Sequence, residues 1–375
     1  MRRLALTLPA LVAILGCRTP GSRPDTGPAA RNRHIEQQQR RVADWMQANR
    51  QATAGGRDKD TEWTVGAWYT GVFSLYEQTR DPRYLAPLMA MEQTTQWKLG
   101  PHPFFGDDQI IPQVYLDLYR TVKQDPAMIA EFRRVVDAQM AAPDPGLGPH
   151  RPAISFKGAW SWCDVLYMAP PAWARLALVT GERKYLDAMD AKFWKTYDFL
   201  FDPEEQLFYR DASYFTRRET NGRKVFWSRG NGWVMGGLVR ILEVMPRDYP
   251  SRPRYEDLFR RMARRIAGLQ QPDGLWRASL LDPGAFPGGE TSGTAFYAYA
   301  YAWGLNQGLL DAATFRPVVD KAWQALETAI QPDGRLGWAQ PIGQDPRSVK
   351  ATDTEVYAVG AFLLAGREMQ KLPMS

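Results

Sequence analysis

The chain has 375 residues, 47 Lys and Arg against 41 Asp and Glu for a formal net charge of +6, and 23% charged residues. Its basic residues are scattered through helical segments rather than gathered in a stripe, which argues against nucleic acid and leaves a solvated basic surface compatible with an anionic substrate. There are two cysteines; with Cys17 set aside near the terminus, Cys163 has no partner, so no intramolecular disulfide forms and stability rests on the core.

Met1-Arg2-Arg3, the apolar run from Leu4 to Leu15 and Gly16-Cys17 give the charged, apolar and small-residue parts of an export signal, too short for a membrane span. Ile14-Leu15-Gly16-Cys17 also fits a lipobox, in which the Cys is lipidated and becomes the new N-terminus; the alternative is ordinary signal cleavage nearby. Residues 18–33, rich in Pro, Gly, Ser and Arg, read as a flexible tether. The expected location is periplasmic or membrane-anchored as a lipoprotein, with the outer membrane favoured, and the membrane is met only through that anchor. The remaining roughly 340 residues exceed the usual single-domain size. No linker divides them, so residues 34–375 read as one large closed domain.

From Ile35 onward apolar residues recur at three and four positions in His34–Asn49, Trp63–Glu77, Ile110–Val122, Pro171–Thr180, Gly232–Val244 and Thr294–Leu305, the period of helices. Strand-like alternation is almost absent. Thr79-Arg80-Asp81-Pro82 and Thr180-Gly181-Glu182-Arg183 supply helix stops. Gln271-Pro272-Asp273-Gly274 returns as Gln331-Pro332-Asp333-Gly334, 60 residues later, with Asp202-Pro203-Glu204-Glu205 a similar turn 69 residues earlier. That period is one helical hairpin plus a long loop, and about six fit the chain. An all-α (α/α)6 barrel is expected, its inner helices opening N-terminally onto a central cleft; the alternative is an open solenoid used for binding.

Three loop-to-helix junctions carry chemistry. In Gly106-Asp107-Asp108-Gln109 two acids stand at a helix start, where a cap and its dipole partner are the ordinary explanation. In Trp160-Ser161-Trp162-Cys163-Asp164-Val165 one acid stands among aromatic and apolar side chains; desolvation would raise its pKa toward that of a general acid, and a buried cap is the structural alternative. In Trp227-Ser228-Arg229-Gly230-Asn231-Gly232-Trp233 a cation is expected between two indoles, fit for a sugar and its carboxylate, or simply packed. With 14 Trp and 16 Tyr in the chain, the set reads as a carbohydrate site for a uronate-like anion. His34, His102 and His150 form no ligand pair and there is no Cys cluster, so no metal is expected. No glycine loop follows a strand, so no nucleotide cofactor is expected either, and the nucleophile elbow of a Ser hydrolase is missing.

At these strings, together with Gln113-Val114-Tyr115-Leu116-Asp117-Leu118-Tyr119 and Glu290-Thr291-Ser292-Gly293-Thr294-Ala295-Phe296, the chain resembles glycoside hydrolase family 105, the unsaturated rhamnogalacturonyl hydrolases, related to the family 88 unsaturated glucuronyl hydrolases. The resemblance covers essentially everything after the leader. It implies an (α/α)6 barrel and a hydrolase acting on lyase-generated unsaturated uronyl oligosaccharides of rhamnogalacturonan type, in pectin degradation. Such enzymes hydrate the C4–C5 double bond rather than attack the anomeric carbon. It implies Asp164 as the acid that protonates C4 and then deprotonates the water adding at C5, with Asp107, rather than Asp108, assisting. Arg229 would bind the uronate carboxylate, with Trp227 and Trp233 on the sugar. Asp108, Trp160, Trp162, Tyr214, Asn231, Glu290 and Ser292 complete the expected substrate-binding set. The chain departs from family patterns where Gln109 and Tyr209-Arg210-Asp211-Ala212-Ser213-Tyr214 stand in place of histidines. Rival readings are an ordinary inverting glycosidase, with carboxylates roughly 6.5–9.5 Å apart, a sugar epimerase on the same fold, and a non-catalytic lipid-anchored glycan-binding protein.

Overall fold

The computed structural model describes residues 27–374; the expected export signal, Cys17 and the first part of the expected tether lie outside the described residues. Twelve principal helices run as six hairpins. α1 (Pro28–Ala54) and α2 (Trp63–Thr79) form the first; α3 (Pro82–Met89), the one-turn α4 (Met91–Thr94) and α5 (Ile111–Thr121) form the second. α6 (Ala127–Ala141), the short α7 (Pro152–Ser155) and α8 (Val165–Met168), and α9 (Pro170–Thr180) form the third; α10 (Arg183–Leu200) and α11 (Ser228–Leu242) form the fourth. α12 (Arg252–Ala267) with α13 (Thr291–Asn306), and α14 (Ala312–Thr328) with α15 (Val356–Lys371), close the set. Among the described residues the only ladder is the two-residue antiparallel pair β1 (Phe201–Asp202) and β2 (Leu207–Phe208).

The second helix of each hairpin lines an inner ring. α2 packs on α5, α5 on α9, α9 on α11, α11 on α13, α13 on α15, and α15 back on α2, while α1 covers the α2–α15 seam. Composition explains which helix goes where. α13 is buried from Thr291 to Gly304 and so has no polar face to offer water. The outer α12 instead buries Tyr255, Leu258, Phe259, Met262 and Ile266 on one stripe, the pattern of a surface helix. Where α2 meets α15 the backbones approach so closely that a Cβ on Gly71 would fall 2.4 Å from the Gly360 carbonyl oxygen.

Five of the six expected helices fall on inner-ring elements with ends shifted by a few residues. The first begins at Pro28, so residues 28–33, expected as tether, are helical. The reason is tertiary: Arg31 donates to the carbonyls of Leu372 and Met369 at the end of α15, which fastens this turn to the ring. The repeated Gln-Pro-Asp-Gly turns occupy equivalent places just after α12 and α14. In each, the Gly N–H donates to the Gln carbonyl and the Asp carboxylate accepts from the N–H two residues on. Both glycines have positive φ, +92° and +101°, a conformation natural to Gly. These turns begin the long outer-to-inner loops, all at one end of the ring; the inner-to-outer connections, such as Arg80-Asp81 and Gly181-Glu182, are short. Long loops and inner-helix N-termini therefore share one face.

Deeper in the ring a charged network ties α5, α9 and α11 together. Arg175 donates through Nε to both Asp117 carboxylate oxygens at 3.1 Å, Arg240 reaches Asp117 at 3.3 Å, and Arg240 also donates to Gln113. Burial alone would raise the Asp117 carboxyl, but the two guanidiniums outweigh it and hold it below the ordinary range. Asp117→Asn strands two buried cations and is expected to cost about 3–5 kcal/mol, read as a clear fall in the thermal midpoint; a variant melting with the wild type would contradict this.

Candidate active site

Four inner-helix starts and two loops converge on a cleft of about 340 Å³. One wall carries Asp107, from the short turn before α5, then Trp162 and Asp164 before α8, and Arg210 from the loop after β2. The facing wall carries Trp63 at the start of α2, Trp227 at the cap of α11, and Ile342, Gly343, Gln344 and Arg347 from the loop entering α15, with Met168 at the floor.

The local sequence sets this wall. The segment Trp162-Cys163 runs antiparallel to Arg210-Asp211: the Cys163 N–H donates to the Arg210 carbonyl at 2.8 Å, and Trp162 bridges Asp211. Asp211 accepts from Arg210 Nη1 at 2.5 Å and from the Ser213 N–H at 2.7 Å. Arg210 is thereby aimed at Asp164, with Nε 3.8 Å from its carboxylate. The Asp164 side chain is 13% exposed and Arg210's 11%. The free, buried Cys163 donates its S–H to Asp164 at 3.5 Å. Trp162 is held from behind by His150 and Phe105, ring centroids 4.2 and 5.3 Å away.

Both acids are pushed above the ordinary carboxyl range. For Asp107 the causes are burial and then the charge of Asp164. For Asp164 burial raises the value while Arg210 and Arg229 pull it back. Both shifts favour the protonated form, the direction expected for Asp164 among its aromatic and apolar neighbours. His150, burial first and Arg210 second, is pushed down to about 4 and is neutral near neutral pH.

The adjacent acids separate cleanly. Asp108 turns from the cleft, accepts from the His102 N–H at 2.7 Å and fills the space left by Gly100; burial raises it to about 6. Of the other expected substrate-binding residues, Trp162 and Trp227 line the cleft and the rest do not. Trp160 packs against Trp173 and under Lys192 on the outer side of the wall. Tyr214 is buried beneath Arg217. Asn231 bridges Phe208 and Trp227 backbone groups. Trp233 lies below the cleft among Phe296, Tyr167 and Trp63.

Arg229, Glu290 and Ser292 serve the facing wall instead. Arg229 is fully buried between Trp227 and Tyr357, not between two indoles. Its terminal nitrogens donate to the carbonyls of Gln340 at 2.6 Å, Pro341 at 3.2 Å and Gly343 at 3.4 Å. Glu290 caps α13 through the Ser292 and Gly293 N–H groups, accepts from the Ser292 hydroxyl, and accepts from the Gln340 N–H. Gln340 also takes the Tyr357 hydroxyl on its carbonyl and the Trp227 indole N–H on its side chain. Sequence reasoning passed over Gln340, Arg210 and Arg347. For Arg210 the signal was the departure from the family histidine; nothing in sequence marks the other two.

Among the described residues no group of three or more His, Cys, Asp or Glu is placed to hold a metal ion. The chain matches the sequence profile of Glycosyl Hydrolase Family 88 over residues 38–373. It is 41% identical over 320 residues, 83% of this chain and 85% of the other, to an unsaturated 3S-rhamnoglycuronyl hydrolase of Formosa agariphila. A solved family 88 glycosyl hydrolase from Bacteroides vulgatus superposes with a TM-score of 0.81 at 32% identity, over 90% of this chain and 99% of that one. A family 105 glycoside hydrolase of C. acetobutylicum gives 0.69 at 22% identity, over 89% and 99%, and shares the fold. The chain belongs to glycosyl hydrolase family 88 and is a glycoside hydrolase of (α/α)6 architecture.

Because Arg229 suspends the 340–347 loop, Arg229→Met is expected to speed amide hydrogen exchange at residues 342–347 by about tenfold or more, as loss of buried charged hydrogen bonds of about 1.5–3 kcal/mol implies. Unchanged protection there would show that the loop is held by other groups.

Proposed function

We propose, from family 88 membership and the paired acids, that the enzyme removes a 4,5-unsaturated uronic acid from the non-reducing end of lyase-generated oligosaccharides, with rhamnose as the next sugar. The observation that carries this is the burial of Asp107 and Asp164 side by side against one guanidinium. Protonating an alkene carbon calls for a carboxylic acid kept neutral near working pH, and a dry site with a second carboxylate nearby supplies one. The relative from Formosa agariphila carries the same substrate class in its name, which supports rhamnose as the leaving sugar.

In the reaction Asp164 gives its proton to C4, and positive charge develops at C5 and the ring oxygen. The carboxylate of Asp107 stabilises that charge. Water adds at C5 and its proton returns to Asp164, restoring the acid. The hemiketal at C5 then opens to a ketone and the anomeric carbon, now a hemiacetal, releases the sugar. Trp162 and Trp227 offer the aromatic faces on which the ring rests. No cofactor enters. We also propose that the protein is exported and held at a membrane through Cys17, on the strength of the leader and lipobox; incorporation of labelled fatty acid, lost in Cys17→Ala, is the expected result, and no labelling would remove the anchor.

Wild-type enzyme is expected to abolish the ultraviolet absorbance of an unsaturated uronyl-rhamnose disaccharide, and Asp164→Asn to lower kcat by about 10²–10⁴, the worth of a positioned general acid. Since both acids are raised, kcat/KM should hold through and above the ordinary carboxyl range and fall as pH rises further and the pair loses its proton. An alkaline limb beginning near pH 4, the ordinary carboxyl value, or full activity in Asp164→Asn, would contradict the assignment.

A further inference from the structure

Two cations line the cleft, and they differ in what they have left to give. Arg347 stands at the mouth, 58% exposed and paired through Nε with Asp345, where water and salt screen it. Arg210 is buried in the wall, and of its five donors one is directed to Asp211; its Nε is buried without a hydrogen-bond partner. A desolvated guanidinium with most of its fork unspent is a strong receptor for a carboxylate, which it can take bidentately. The third cation near the cleft, Arg229, has its terminal nitrogens engaged with loop carbonyls.

We propose that Arg210, rather than Arg229, holds the carboxylate of the unsaturated uronate and thereby aims C4 at Asp164. The inference rests on the functional reading above for the nature of the ligand. Its geometry comes from the wall itself. The substrate carboxylate is attached to C5, one bond from C4, so an anion seated on a guanidinium 3.8 Å from Asp164 brings the alkene within reach of that acid. Asp107 faces the same cleft, and Cys163 and Asp211 flank Arg210 on the wall side.

The test separates recognition from turnover by titration calorimetry on the Asp164→Asn protein, with an unsaturated uronyl-rhamnose disaccharide as free acid and as its methyl ester. The free acid is expected to bind about 10–100-fold more tightly than the ester, as charged hydrogen bonds imply. Adding Arg210→Gln should bring the two to within about threefold, Arg210→Lys should keep part of the preference, and Arg347→Gln should keep it whole. An unchanged preference in Arg210→Gln and Arg210→Lys, or one lost in Arg347→Gln instead, overturns the proposal. Hydration of the free acid by wild-type enzyme is the separate readout. Turnover without the Arg210-dependent preference defeats Arg210 alone, and the preference without turnover defeats the functional reading alone.

Discussion

Two carboxyl groups and one guanidinium in a dry wall form the interaction on which the rest depends. Asp107, Asp164 and Arg210 come from three separate segments, and burial beside one another lifts both carboxyls above the ordinary range while the guanidinium limits the rise. Water admitted to that wall would lower both acids toward ordinary values and dissolve the arrangement. The six-hairpin ring meets this demand because its inner helices are apolar nearly all round and its long loops gather at one end. Closure of α15 on α2, with Gly71 against Gly360, leaves no side open.

The facing wall is built on a different principle, a keystone. Gln340 is fixed by α11 through Arg229 and Trp227, by the cap of α13 through Glu290, and by α15 through Tyr357. The polar residues in the motif strings are largely occupied in this way, orienting backbone that the substrate then meets. Their mutation should accordingly be read as movement of Ile342, Gly343 and Gln344, which do line the cleft.

Much of this was legible in sequence, for identifiable reasons. Inner helices announce themselves by dense apolar periodicity, and each junction acid lies inside a contiguous string at a helix start, so Asp107 and Asp164 stand out. The Gln-Pro-Asp-Gly repeat marks two equivalent hairpins because a turn is local chemistry. What escaped depends on pairing between distant segments. Arg210 becomes visible only when its strand-like segment lies against Trp162-Cys163. Trp160 and Trp162 are two residues apart, where a regular strand would put both on one side, yet Trp160 packs on Trp173 while Trp162 lines the cleft, so composition could not say which one meets the sugar. Arg229 and Glu290 look like ligand-binding groups until the carbonyl and N–H groups of a loop more than forty residues on are placed against them. The helical turn at Pro28 hid within a tether-like composition because its partners are the last carbonyls of α15.

The central claim is hydration of the alkene, not attack at the anomeric carbon, and an analogue that disables the second path tests it most directly. With the glycosidic oxygen of the unsaturated disaccharide replaced by sulfur, an acid aimed at C4 still finds its target, whereas cleavage by protonating the glycosidic bond is blocked. The account predicts that the alkene absorbance of the thio-linked substrate disappears at a rate within about tenfold of the oxygen-linked one, since the acid acts on carbon in both. An intact double bond in the thio-linked compound, beside brisk release of rhamnose from the ordinary disaccharide, would contradict it and mark an enzyme that works at the anomeric carbon.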